Sequence, residues 1–147
     1  MSELLKKELS FINPELEGLI DHGFIDSAFI IAVMGIELLG AVADDKPIRA
    51  NGQSSKRFKV GLRKFFPKRY SKPSITENIY KGIRCNVGHL LRFAGKIDFV
   101  TDTNLHLTEH DLVLKIHKKQ FITDYISACD KLTTRVLNND ITLKKGL

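Results

Sequence analysis

Apolar residues recur at helical spacing over most of the 147-residue chain. Leu4, Leu5, Leu9 and Ile12 open an amphipathic segment. Asn13-Pro14-Glu15 then reads as the start of a separate short helix running to about Asp21. Asn13 is its cap, Pro14 lies in its first turn and Glu15 and Glu17 lie at the positive end of its dipole, with His22-Gly23 closing it. Asp26-Ser27 caps the next helix, which is apolar nearly all round from Ala28 to Val42. A helix without a polar stripe is a central one, surrounded by others. Its β-branched content leaves a buried strand as the alternative.

Asn51 to Ser55 reads as an exposed loop. Helical spacing resumes at Phe58, Leu62, Phe65 and Phe66, and Pro67 stops it. Ser74-Ile75-Thr76-Glu77 has the form of a capping box. It opens a long helix with Ile75, Ile79, Ile83, Val87, Leu90, Leu91 and Ala94 inward, ending at Gly95. Segments 104–108 and 112–116 alternate or run apolar around Glu109-His110-Asp111, the pattern of a small β-hairpin. A last amphipathic helix spans Lys118 to Leu137, with Phe121, Ile122, Tyr125, Ile126, Cys129, Leu132 and Val136 inward and Asn138-Asn139 at its end. The pattern predicts one mainly all-α domain over residues 1–147, a four- to five-helix bundle with a hairpin before the last helix.

Charge changes this picture by its location. The net charge is +6, yet Lys46, Arg49, Lys56, Arg57, Lys59, Arg63, Lys64, Lys68, Arg69 and Lys72 follow one another with no acid between them. Outside that block 13 basic residues face 17 acidic ones, so the chain is mildly acidic with one basic segment, which points to a polyanion. Arg57, Lys59, Arg63, Lys64, Lys68 and Arg69, interleaved with aromatics, are candidate RNA contacts, and Arg92 joins them further on. A solvated helix face is the plainer reading, and the spacing of Phe58, Phe65 and Phe66 turns those rings to the core.

Two cysteines without CxxC spacing, Cys85 and Cys129, argue for a reducing, cytoplasmic setting and against a disulfide framework or zinc ribbon. The first residues are too polar for a signal peptide, and the Ser27–Gly40 stretch, which contains Glu37, is too short for a bilayer span, so no membrane partner is expected. No phosphate loop, HExxH or GxSxG occurs. His106, His110 and His117 have spacing that raises a metal, but no thiolate or placed carboxylate completes a set, and none is expected.

Within the capped helix stands Arg84-Cys85-Asn86-Val87-Gly88-His89. This resembles the R-x(4–6)-H signature of the HEPN superfamily, helical domains that include many toxin, antiviral and CRISPR-associated ribonucleases. The motif covers six residues and the helical layout most of the chain. The family carries a polar Asn, Asp or His after the arginine, where this chain has Cys85. Asn86, one residue on, points about 100° away.

The resemblance implies a metal-independent endoribonuclease without cofactor, of toxin–antitoxin or phage-defence type. His89 is then the acid/base, Arg84 the phosphate and transition-state binder, and Asn86 a positioning residue. Arg84 and His89 sit about 140° apart around one helix, so one copy closes a site poorly. The family's dimeric site implies a homodimer, with RNA as substrate and an antitoxin protein as a further partner. Plainer readings stand beside this: Arg84 paired with Glu37 or Glu77, Cys85 as packing, and Gly82 and Gly88 admitting a neighbouring core helix. A non-catalytic RNA- or protein-binding dimer of the same type, and a helical interaction module without nucleic acid, are the other functional classes.

Overall fold

The structure is a computed structural model that describes residues 2–90 and 96–143, within which the side chains of 2–6, 8, 9, 11 and 88–90 are left aside. It is mainly helical, with a small three-stranded sheet before the last helix.

The first helix, α1, runs unbroken from Ser2 to Asp21 with Pro14 inside it. The expected break at Asn13 does not occur. A proline in a helix interior costs about 3 kcal/mol. That cost is offset here by the burial of Leu16, with Ile12, Leu19 and Ile20 packed against the same core. Asn13 is no cap; its amide reaches Asp130 at 3.1 Å. The helix ends as its sequence implies. Gly23 takes a left-handed φ of +81°, the Gly23 amide bonds the Ile20 carbonyl and the Phe24 amide that of Leu19, a Schellman closure.

The apolar helix α2, Ile25–Ala43, is central, and it is longer than the apolar stretch suggested. Asp26 and Ser27 lie inside it and make no cap hydrogen bond. It is long and apolar enough to cross a bilayer, but half of it is buried inside the fold. It is not covered all round either: Ile31 and Met34 on its outer face, and Phe24 just before it, are exposed.

Helix α3, Ser54–Phe65, crosses α2 in backbone contact. A Cβ on Gly40 would overlap the Arg57 carbonyl, and one on Gly61 would overlap that of Ile36. These two glycines make the close helix approach. A 3₁₀ turn, Lys68–Ser71, leads to α4, Pro73–Ile79.

Helix α4 starts at Pro73, whose missing amide costs nothing in the first turn. The expected capping box does not form, because tertiary partners take its groups. The Ser74 hydroxyl donates to Glu109 and the Glu77 carboxylate accepts from Lys59 and Lys81, while Thr76 bonds the Tyr70 and Lys72 carbonyls. The helical path continues through a π turn, Tyr80–Arg84, into α5, Cys85–Leu90. The expected end at Gly95 lies outside the described residues.

The sheet has the order β1-β3-β2, with β1 Ile97–Phe99, β2 Glu109–His110 and β3 Val113–Ile116. The hairpin is present but shifted. Its turn is Asp111-Leu112, both residues at positive φ, and β2 pairs antiparallel to β3 through Glu109–Leu114 and His110–Val113. Thr103–Leu105 form a 3₁₀ turn capped by the Asp102 carboxylate, and Leu107 is left-handed, so 104–108 cannot extend as a strand. Strand β1, unforeseen, adds parallel to β3. Helix α6, Lys118–Leu137, keeps its expected bounds, and Asn139 closes it at φ +60°. Phe29, Phe66, Tyr70, Phe121 and Tyr125 stack edge-on or tilted in the core between α2, α3 and α6.

Candidate nucleic-acid interface

The motif arginine sits at the end of the π turn. There the Cys85 amide reaches back five residues to the Tyr80 carbonyl. Such a turn inserts a residue into the helical ladder and leaves nearby carbonyls short of a donor. Asn86 supplies one. Its side-chain amide donates to the carbonyls of Lys81 at 2.8 Å and Gly82 at 3.4 Å. The amide is thus spent on its own helix.

Arg84 reaches sideways to α2. Its Nε donates to Glu37 at 2.5 Å, Nη2 contacts the same carboxylate, and Nη2 also meets the Ser54 hydroxyl at 3.4 Å. Of the two acids within reach by sequence, Glu37 is the partner; Glu77 holds Lys59 and Lys81. Among the described residues Nη1 makes no hydrogen bond, which leaves one edge of the guanidinium for an anion. The π turn is packed in place by Tyr80, whose ring lies 5.5 Å from Phe58 with the Lys59 ammonium over it. His89 lies in α5, five positions after Arg84. Its side chain, and all of Arg92, fall outside the described residues.

The basic block separates into two sets. Arg57, read from sequence as an RNA contact, is interior: its side chain is 7% exposed. Nε donates to Asp44 at 2.7 Å, and the Nη groups reach the carbonyls of Ile48 and Pro47 at 2.7 and 2.8 Å. It clamps the connection between α2 and α3, because a buried guanidinium needs its donors satisfied. Lys59 is paired with Glu77, Arg69 with Asp124 at 3.0 Å, and Lys72 with Glu109 at 2.5 Å. Arg63, Lys64 and Lys68 are exposed and have no acidic partner among the described residues; Arg49 and Lys56 share that state. The aromatics interleaved with the block, Phe58, Phe65, Phe66 and Tyr70, are all buried.

A buried polar network lies beyond the motif. The His117 amide donates to His106 Nδ1 at 3.0 Å, which places the ring proton on Nε2. Nε2 then donates to the Tyr70 hydroxyl at 2.7 Å, and that hydroxyl donates to Asp124 at 2.6 Å. Arg69 and Gln120 also donate to Asp124. Burial pushes the Asp124 carboxyl up, but nearby His106 and the donors Tyr70, Gln120 and Arg69 outweigh it and hold the group below the usual range. Burial and the Asp124 charge raise Tyr70 well above an ordinary phenol. No local pattern signals the Tyr70–His106–Asp124 core of this network, since those three residues lie 18 to 54 positions apart.

The three histidines of the hairpin region do not converge. His106 is buried in the network, His110 is exposed beside Asp111, and His117 caps α6 through the Gln120 amide. Among the described residues no group of three or more His, Cys, Asp or Glu is placed to hold a metal ion. Cys129 is buried and its thiol is pushed up to about 11 by burial, which leaves it unreactive; Cys85 is half-buried. Comparison with protein-family models, curated proteins and solved structures returns no match.

Proposed function

We propose that this chain is a HEPN-type helical bundle acting as a cytoplasmic, metal-independent endoribonuclease, in a toxin–antitoxin or phage-defence setting. The observation that carries the reading is Arg84. Glu37 and Ser54 hold its guanidinium at a π turn, with Nη1 uncommitted among the described residues, in the helical run that bears His89. Turns of this kind are frequent at functional sites.

In the proposed reaction His89 accepts the proton of a ribose 2′-hydroxyl as its oxygen attacks the adjacent phosphorus. The P–O5′ bond breaks, the 5′-oxygen leaves with a proton, and a 2′,3′-cyclic phosphate remains. Arg84 stabilises the charge that develops on the phosphate oxygens. Asn86 acts indirectly, by holding the carbonyls of the turn. Two copies related by a two-fold axis supply two Arg84 and two His89 to one cleft, so the active form is a homodimer.

Purified protein should cleave mixed RNA in EDTA, and Arg84→Ala or His89→Ala should lower the rate by about 10²-fold or more. Equal cleavage by wild type and both variants, or none by wild type, rules the catalytic reading out. A second reading, a non-catalytic RNA-binding dimer of the same type, is favoured by the engagement of Arg84 with Glu37 and of Asn86 with its own helix. It predicts salt-dependent RNA binding without cleavage.

A further inference from the structure

We infer that Lys56, Arg63, Lys64 and Lys68 form a track that grips the phosphate backbone of single-stranded RNA without reading its bases. The inference deepens the proposed function and rests on it for the choice of RNA. Its first support is the division of the basic block. Arg57, Lys59, Arg69 and Lys72 are neutralised by Asp44, Glu77, Asp124 and Glu109. The four track residues are exposed and face no carboxylate among the described residues.

The second support is placement. Lys56 and Arg63 stand two turns apart on the outer face of α3, about 10 Å along its axis, with Lys64 beside Arg63. Lys68 is exposed just beyond Pro67, at the start of the 3₁₀ turn that follows α3. Ser54, which touches Arg84, lies about 200° around α3 from Lys56, so the track occupies the face of α3 turned away from that contact. A lone row of cations on one helix matches one strand of phosphates.

The third support concerns the bases. A single-strand groove that holds bases does so by stacking them on exposed aromatic rings. Here Phe58, Phe65, Phe66 and Tyr70 are at most 3% exposed. The contact is left to charge alone, and charge does not distinguish one base from another.

The test uses fluorescently labelled 2′-O-methyl dodecamers of U and of A, which cannot be cut through the 2′-oxygen, followed by anisotropy over a salt series. Arg63→Glu/Lys64→Glu is compared with Lys119→Glu/Lys131→Glu, which places the same charge change on exposed positions of α6. The track predicts U and A affinities within about threefold of each other. It also predicts a loss of roughly tenfold for the α3 pair alone, and a salt slope shallower by about 1.4 for two lost phosphate contacts. Equal losses in both pairs, no loss in either, no binding by wild type, or equally tight binding of polyglutamate overturns it. Binding as expected without cleavage of natural RNA removes the ribonuclease reading and leaves the track. Cleavage with unaltered binding by the α3 pair does the reverse.

Discussion

Each cation of the basic block has its role set by the distance to a carboxylate. Arg57 and Lys59 are two residues apart, yet the Arg57 side chain is 7% exposed against Asp44 at 9%, and Lys59 is 27% exposed against Glu77 at 39%. Removing one partner of a buried ion pair leaves an uncompensated charge and costs about 3–5 kcal/mol. An exposed pair is worth at most about 1 kcal/mol. Asp44→Ala is therefore expected to destabilise by about 3 kcal/mol or more in urea unfolding, and Lys59→Ala by under about 1 kcal/mol. Similar losses for both would mean that burial does not separate the two. Arg84 lies between these cases, half-buried against Glu37, held in place but able to meet an anion.

At the scale of elements, the α2–α3 crossing depends on two hydrogen atoms where other residues carry a Cβ. Gly61→Ala sets a methyl group against the Ile36 carbonyl, and a main chain packed in a helix cannot move aside as a side chain can. Overpacking of this kind costs about 1–3 kcal/mol. Gly18 in α1 has open space around its Cβ position, so Gly18→Ala should instead stabilise by up to about 1 kcal/mol through helix propensity. Opposite signs for the two alanines in thermal unfolding are the expected result; two gains would mean that the crossing is looser than described.

Element bounds followed local signals where those signals had no competitor. Helix α6 and its Asn139 closure, and the Gly23 closure of α1, lie where periodicity and turn residues place them. The expected bounds failed where distant groups intervened. Burial of Leu16 carries α1 through Pro14, and Glu109 and Lys59 draw Ser74 and Glu77 out of a capping box. The left-handed Leu107 ends any strand at 104–108.

Over the whole molecule, the Tyr70–His106–Asp124 network ties the 3₁₀ turn before α4, the sheet region and α6 to one another. Its pH dependence follows from Asp124, whose pKa is lowered in the fold. A lowered carboxyl adds stability that is fully present above the ordinary aspartate value, about 3.9. That stability is lost as pH falls through the folded pKa. Asp124→Asn should thus lower stability near neutrality and flatten the acid limb of stability against pH. The check is the fall in Tm between about pH 7 and pH 3, larger in wild type than in the variant. An identical fall in both would show that other carboxylates carry the acid limb.

By itself the sequence determined the mainly helical class, the inward faces of α3, α4 and α6, the ends at Gly23 and Asn139, and a basic block just before the Arg84-to-His89 helix. These rest on periodicity, turn residues and composition, which act between near neighbours. Tertiary structure alone decided that Arg57 is interior, that Arg84 takes Glu37 rather than Glu77, and that Asn86 serves the π turn. It also decided the parallel β1 and the polar network. Ion pairs and buried hydrogen bonds depend on distances of a few ångströms between residues far apart in the chain, and packing alone sets those distances.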